Sequence, residues 1–187
     1  MKSLVIGLGN KGPNYKTHRH NVGSEIVSKI CEIKNIELVE RTKFKAWVGV
    51  DSNKVNYLIP NTYMNLSGQS VAFFLKNKNF DFANVFVVHD DLDLGVGSVR
   101  LKKGGGTGGH NGLRSLIESL STGAFNRIRI GIGRPQLSED VSSYVLSSPS
   151  ISEKILIDKS IENIVESIDM ITNQNVQLSM NLFNKRK

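Results

Sequence analysis

Four histidines, His18, His20, His89 and His110, and the aspartates Asp90, Asp91 and Asp93 are the side chains here best suited to moving protons. His20 lies in the polar stretch KTHRHNVG, shortly after the first apolar run Leu4-Val5-Ile6, with Arg19 and Asn21 on either side. A histidine changes charge near neutrality and so suits a general base. Asp90 follows the apolar run Val85-Phe86-Val87-Val88 and His89, where a carboxylate would orient and polarise such a base. The three aspartates also read as a magnesium site or as turn residues. Asn10, Asn65 and Asn111 each follow a predicted strand, beside glycine or serine. Converging on His20, they would supply neutral donors and acceptors for a water, a carbonyl and an oxyanion.

Two glycine-rich segments need weighing against nucleotide chemistry. Residues 102–112 (KKGGGTGGHNG) hold six glycines among eleven positions, a backbone that can come close to a ligand. They lack the Gly-Lys-Ser/Thr ending of a nucleotide-hydrolase loop, which argues against ATP or GTP. Residues 7–12 (GLGNKG) match G-x-G-x-x-G, but Pro13-Asn14-Tyr15 intervenes and helical periodicity starts only near residue 22. With no acidic residue closing a second parallel strand, a dinucleotide site is disfavoured. No His-x-x-x-His pair or cysteine ligand supports a metal, and none is expected.

The elements that must position these residues follow from periodicity. Val22, Ile26, Val27, Ile30 and Cys31 predict a helix over 22–35. Residues 44–51 and 55–60 read as a hairpin turning at Ser52-Asn53-Lys54. Ser67 or Asn65 is expected to cap the next helix, whose apolar face carries Val71, Phe74 and Leu75. The run 85–88 predicts a strand buried on both faces, with 89–93 as loop. Residues 97–102 and 127–132 alternate as strands do, and Leu113, Leu116, Ile117 and Leu120 mark the helix between them. From Ser138 the chain reads as helical, with a Ser150/Glu153 capping box, a long amphipathic helix, a frayed basic tail at 184–187 and a partial lid over 138–150. The order β-α-β-β-α-β-β-α-β-α-α describes one α/β domain over residues 1–187, a twisted mixed β-sheet sandwiched between α-helices. In such sheets ligands bind at the carboxyl ends of strands, where His20, Asp90 and the asparagines fall.

The bulk properties agree. The chain has 187 residues, a net charge of +7 and one cysteine, so intrachain disulfides and zinc clusters are excluded. No apolar run approaches a membrane span, and Cys31 falls on a predicted core face, which favours a cytoplasmic protein. The basic excess favours polyanionic partners such as nucleic acid.

GLGNKGPNY with RHNVG, TYMNLSGQSV, HDDLDL, KKGGGTGGHNGL and RIRIGIGRP occur in an order and spacing that resembles bacterial-type peptidyl-tRNA hydrolase over the full length. The resemblance implies hydrolysis of the ester linking peptide to the 3′ end of tRNA, by a monomer needing no metal or organic cofactor. It assigns His20 as the base, Asp90 as its carboxylate, Asn10 and Asn65 to the substrate, and Asn111 to a water or oxyanion. Tyr15, Met64 and His110 match cleft-lining positions, and Lys102 and Arg129 match residues gripping a tRNA 5′ phosphate. Lys11 replaces the usual proline and is expected to loosen the first loop, Thr17 is displaced by one place, and Asp91 replaces glutamate. The rival readings are a Rossmann-like nucleotide binder and a non-catalytic tRNA-binding module.

Overall fold

The computed structural model describes residues 2–76, 78, 80–136, 140–173 and 176–185. Its apolar runs gather into one seven-stranded sheet of order β2-β3-β4-β1-β5-β7-β6. The strands are β1 (Leu4–Gly7), β2 (Val39–Arg41), β3 (Ala46–Val50), β4 (Asn56–Pro60), β5 (Val85–Asp91), β6 (Val99–Lys103) and β7 (Asn126–Gly131). The pairs β1–β4, β1–β5 and β5–β7 are parallel, and β2–β3, β3–β4 and β6–β7 antiparallel, which makes the sheet mixed. The predicted hairpin is β3–β4, with Lys54 at φ 63° in its turn. β2 escapes prediction because its three residues carry a single apolar side chain, Val39.

Helices cover both faces. The α1 (Val22–Ile33) residues Ile26, Val27 and Ile30 pack with Ile161, Ile164 and Ile168 of α5 (Ile151–Asn173) against Phe86 and Val88. On the other face, Val71 and Phe74 of α2 (Ser67–Leu75) and Leu113 and Leu116 of α3 (Asn111–Leu120) cover Val85 and Val87. Each large aliphatic side chain removed from water in this way contributes about 1.5–3 kcal/mol. α1 reaches the sheet through Gly7 and Gly23. A Cβ on Gly23 would lie 2.2 Å from Val88 O, so this approach excludes any side chain.

Three expectations change. Neither Ser67 nor Asn65 caps α2. Its Gly68 N–H instead donates to Ser115 Oγ of α3 at 2.9 Å, a cap supplied from 47 residues away. β5 runs on through His89, Asp90 and Asp91, because pairing with β7 continues to Asp91–Gly131. The tail is held as far as Asn184. After α6 (Val176–Phe183), the Asn184 side chain accepts from Leu101 N and donates to Leu101 O, satisfying the outer edge of β6.

The capping box forms as predicted, with Ser150 N donating to Glu153 Oε2 at 2.7 Å. Ser138 and Glu139 of the predicted lid, and Arg186 and Lys187 of the tail, lie outside the described residues. Within 140–150, Val141–Val145 form α4, capped by Asp140. Among the described residues no helix is long and apolar enough to cross a membrane.

Candidate active site

Strand period two sends successive side chains of β5 to opposite faces. Phe86 and Val88 face α1, so Asp90 does too, while His89 and Asp91 turn toward the α3 side. A 3₁₀ turn, Arg19–Asn21, stands just before α1 and presents His20 to Asp90. His20 Nδ1 lies 2.9 Å from both Asp90 oxygens. His110, the N-cap of α3, accepts from Gly112 N at 3.0 Å through Nδ1 and places Nε2 2.9 Å from Asp90 Oδ1.

These bonds fix the tautomers. Burial alone would raise the Asp90 carboxyl, but its two histidine partners outweigh that and hold it well below the usual carboxylate range. Asp90 is therefore an acceptor, and His20 must donate Nδ1–H, leaving Nε2 as a free lone pair. Burial works against charge on His20, yet Asp90 outweighs it by charge and hydrogen bond, and the pKa is raised above 6.5. His89 is different. Burial first and the adjacent His110 second push it down to about 3, so it stays neutral, with Nδ1 donating to Asp90 O.

A cleft of about 930 Å³ opens above this cluster. Asn10, Asn65 and Asn111 all line it with His20 and Asp90, as do Met64, Lys102, His110 and Arg129. Asn10 Oδ1 accepts from Met64 N at 2.8 Å, which leaves its Nδ2 amide as the donor with no partner among the described residues. Tyr15 is not brought into this cleft. It packs edge-on to His18 and Tyr63 in a neighbouring concavity, 6.2 Å from the Tyr63 ring centre. A larger groove of about 1120 Å³ lies beyond Asn10, beneath Trp47, Ile59 and Pro149, and contains none of His20, Asp90 or His110.

The aspartate run does not act as one ligand set. Asp90 faces two histidines, Asp91 accepts from Arg129 Nε at 2.7 Å, and Asp93 accepts from Arg134 Nε at 3.0 Å. His20, Asp90 and His110 do bring ligand atoms within 4.8 Å of one another, but direct imidazole–carboxylate bonds already use those atoms. Residues 9–12 do not open a helix, since a 3₁₀ turn at Pro13–Tyr15 follows them, and this removes the dinucleotide geometry.

Three supporting residues carried no role in the sequence reading. Asn21 clamps the Asn10 main chain from both sides, Oδ1 accepting from Asn10 N and Nδ2 donating to Asn10 O, each at 2.9 Å. Its place next to His20 was the available signal. Arg127, on the face of β7 opposite Ile128 and Ile130, is buried and donates to the carbonyls of Gly105 and Gly106. That bond shapes the glycine loop, where Gly105 and Gly109 adopt φ 115° and 80°. Arg19 is the third, donating to Ser147 Oγ and Glu153 Oε2. Lys11, where a looser first loop is expected, ties that loop to its neighbour: its N–H donates to Thr62 O at 3.0 Å, a bond proline cannot make.

A charged carboxylate holding a histidine with its outer nitrogen open, at the carboxyl end of a mixed sheet, makes this an α/β enzyme equipped for general-base chemistry. Comparison with known proteins narrows the class. The family described as peptidyl-tRNA hydrolase matches residues 4–187. The peptidyl-tRNA hydrolase of Syntrophotalea carbinolica is 42% identical over 186 residues, covering 98% of this chain and 97% of that protein. The Rickettsia typhi enzyme of the same name is 43% identical over 171 residues, covering 90% and 92%. The crystal structure of peptidyl-tRNA hydrolase from Acinetobacter baumannii superposes with a TM-score of 0.93 at 38% identity, covering 99% of this chain and 95% of that one. The chain belongs to the peptidyl-tRNA hydrolase family.

Proposed function

We propose that this protein hydrolyses the ester joining a peptide to the 3′ end of tRNA, releasing the peptide and free tRNA. The observation that carries the reading is the His20–Asp90 pair, which leaves Nε2 unprotonated at the floor of an amide-lined cleft. Nε2 takes a proton from water as the water oxygen attacks the ester carbonyl. The new imidazolium is stabilised by Asp90 and returns its proton to the leaving 3′ oxygen as the ester C–O bond breaks. No hydroxyl or thiol bonds His20 among the described residues, so water is the nucleophile. The amides of Asn10, Asn65 and Asn111 line the same cleft and supply donors for the developing oxyanion and the attacking water, the Asn10 Nδ2 being left open because its Oδ1 accepts from Met64 N.

An ester is already activated, and a base with a few amide donors can hydrolyse it without a metal. Lys102 and Arg129 on one wall suit a 5′ phosphate, Arg129 reaching it with the guanidinium nitrogens that Asp91 leaves open. Met64 and His110 line the same cleft, and Tyr15 borders the approach from the adjoining concavity. The reading includes a monomer acting in the cytoplasm, supported by the family and by a single, buried cysteine.

Release of N-acetyl-amino acid from N-acetyl-aminoacyl-tRNA, with EDTA present, tests it. Wild type turns over and His20→Ala slows by about 10²–10⁴-fold while binding tRNA normally. Equal rates would remove His20 from the chemistry, and tRNA binding without wild-type turnover would make this a binding module.

A further inference from the structure

Arg19 is as buried as His20, at 7% exposure, although hydrolysis gives a guanidinium at that place no proton to move. It reaches away from the cluster, to the connection between α4 and α5. Nη1 donates to Ser147 Oγ at 2.6 Å and Ser148 O at 2.8 Å, and Nη2 to Glu153 Oε2 at 2.8 Å. The guanidinium lies 4.2 Å from the centre of the Tyr144 ring, whose hydroxyl donates to Ile132 O at 2.6 Å. The Arg19 main-chain N–H adds a bond to Ser147 O at 3.0 Å, and Thr17 pairs with the Ser148 hydroxyl at 2.8 Å. Glu153 meanwhile closes the N-terminus of α5 through Ser150 N.

Burying a guanidinium costs several kcal/mol of hydration, and an apolar pair of similar volume often stabilises a fold equally well. What the ionic arrangement adds is a fixed direction. Arg19 and His20 are consecutive and point opposite ways, one to 144–153 and the other to Asp90. The turn that carries them has no side-chain cap of its own, so its orientation is set by what its side chains grip: Asn21 the Asn10 main chain, His20 the Asp90 carboxylate and Arg19 the 144–153 connection. On the far side of the grip, Val141, Ser142, Val145 and Leu146 form a wall of the catalytic cleft.

We infer that Arg19 is a positioning residue for the hydrolysis proposed above, locking the turn that carries His20 to the α4 wall of the cleft. Base and wall then hold one relation as substrate enters, and Glu153 and Ser147 are the anchors. The inference rests on the peptidyl-tRNA reading for its kinetic consequence, and on geometry alone for the orientation of His20.

The test compares wild type, Arg19→Ala, Arg19→Lys, Glu153→Gln and the double variant Arg19→Ala/Glu153→Gln. Turnover of N-acetyl-aminoacyl-tRNA is read alongside NMR titration of the His20 ring, which Asp90 and His110 face. Arg19→Ala should lower kcat by about 10²-fold with KM little changed, as expected for ångström-scale misplacement of a base. The His20 midpoint should fall toward that of an ordinary histidine. Lysine keeps the charge without the fork and should fall between. Glu153→Gln keeps the cap, loses the ion pair, and should add nothing to Arg19→Ala.

A folded Arg19→Ala with wild-type kcat and an unmoved His20 midpoint overturns the inference, whatever its melting temperature. If Arg19→Ala does not fold, Glu153→Gln decides in the same way. Failure of wild type to turn over would strike the functional reading, while the titration would still decide whether Arg19 orients His20.

Discussion

Asp90 and Asp51 are both carboxylates almost cut off from solvent, with side chains 3% and 6% exposed, at opposite ends of one sheet. Asp51 follows β3, beside the amino end of β1, and accepts from Val55 N at 2.9 Å and Tyr57 Oη at 3.2 Å, with Lys34 Nζ at 3.7 Å. Asp90 lies near the carboxyl end of β5 and holds two histidines. An amide, a phenol and an ammonium do not exchange protons near neutrality. Burial and Asp51 together push the Tyr57 phenol far above its ordinary value, and the Cys31 thiol up to about 12. A histidine does exchange there. Burial of a carboxylate therefore does not mark a site in this molecule, and the chemistry of its partners does.

The largest expected break in that comparison is Asp90→Asn. An amide cannot stabilise the imidazolium, so kcat should fall by about 10²–10⁴-fold. The pH profile carries the sign. His20 must be neutral to accept a proton, and Asp90 raises its pKa above 6.5, so wild-type activity should fall as pH drops through that raised value. In Asp90→Asn the residual acid limb should shift to lower pH. An unshifted limb would separate Asp90 from the base.

Asp51→Asn should leave kcat and its pH profile alone while lowering stability by about 1–3 kcal/mol in denaturant unfolding, since one of the two oxygens that accept from Val55 N and Tyr57 Oη becomes an NH2 donor. A kinetic defect there would erase the distinction between the two ends.

The smallest effect concerns lysines. Lys34 is committed to Asp51 and Asp169, whereas Lys102 has no carboxylate within 4 Å among the described residues and lines the cleft. Lys102→Ala should flatten the log–log salt dependence of tRNA binding by about one phosphate contact, and Lys34→Ala should not. Equal slopes for Lys102→Ala and wild type would remove its phosphate role.

Much of this was legible beforehand. The sheet and its covering helices followed from runs such as Val85–Val88 and from the 3.6-residue spacing of Ile26, Val27 and Ile30, because burial on one face imposes a period. The Ser150/Glu153 cap was legible because both partners lie within one helical turn. Asn10, Asn65 and Asn111 could be singled out by type and loop position, and the fold brings all three to one cleft.

What escaped prediction depends on partners distant in the chain. α2 is capped by Ser115 instead of its own Ser67, because the serine that reaches a free N–H is decided by helix packing. Tyr15 sits in the right loop but faces Tyr63, and Arg127 keeps its strand alternation yet is buried, because the carbonyls of Gly105 and Gly106 are there to receive it. Sequence by itself determined the residue types, most of the elements and the family, since periodicity and local motifs are written within a few residues of one another. Which nitrogen of His20 is free, that His89 stays neutral, and that Arg19 ties the base to the cleft wall were decided by tertiary structure alone. Each depends on a hydrogen bond or a burial that spans the fold, and no local pattern encodes it.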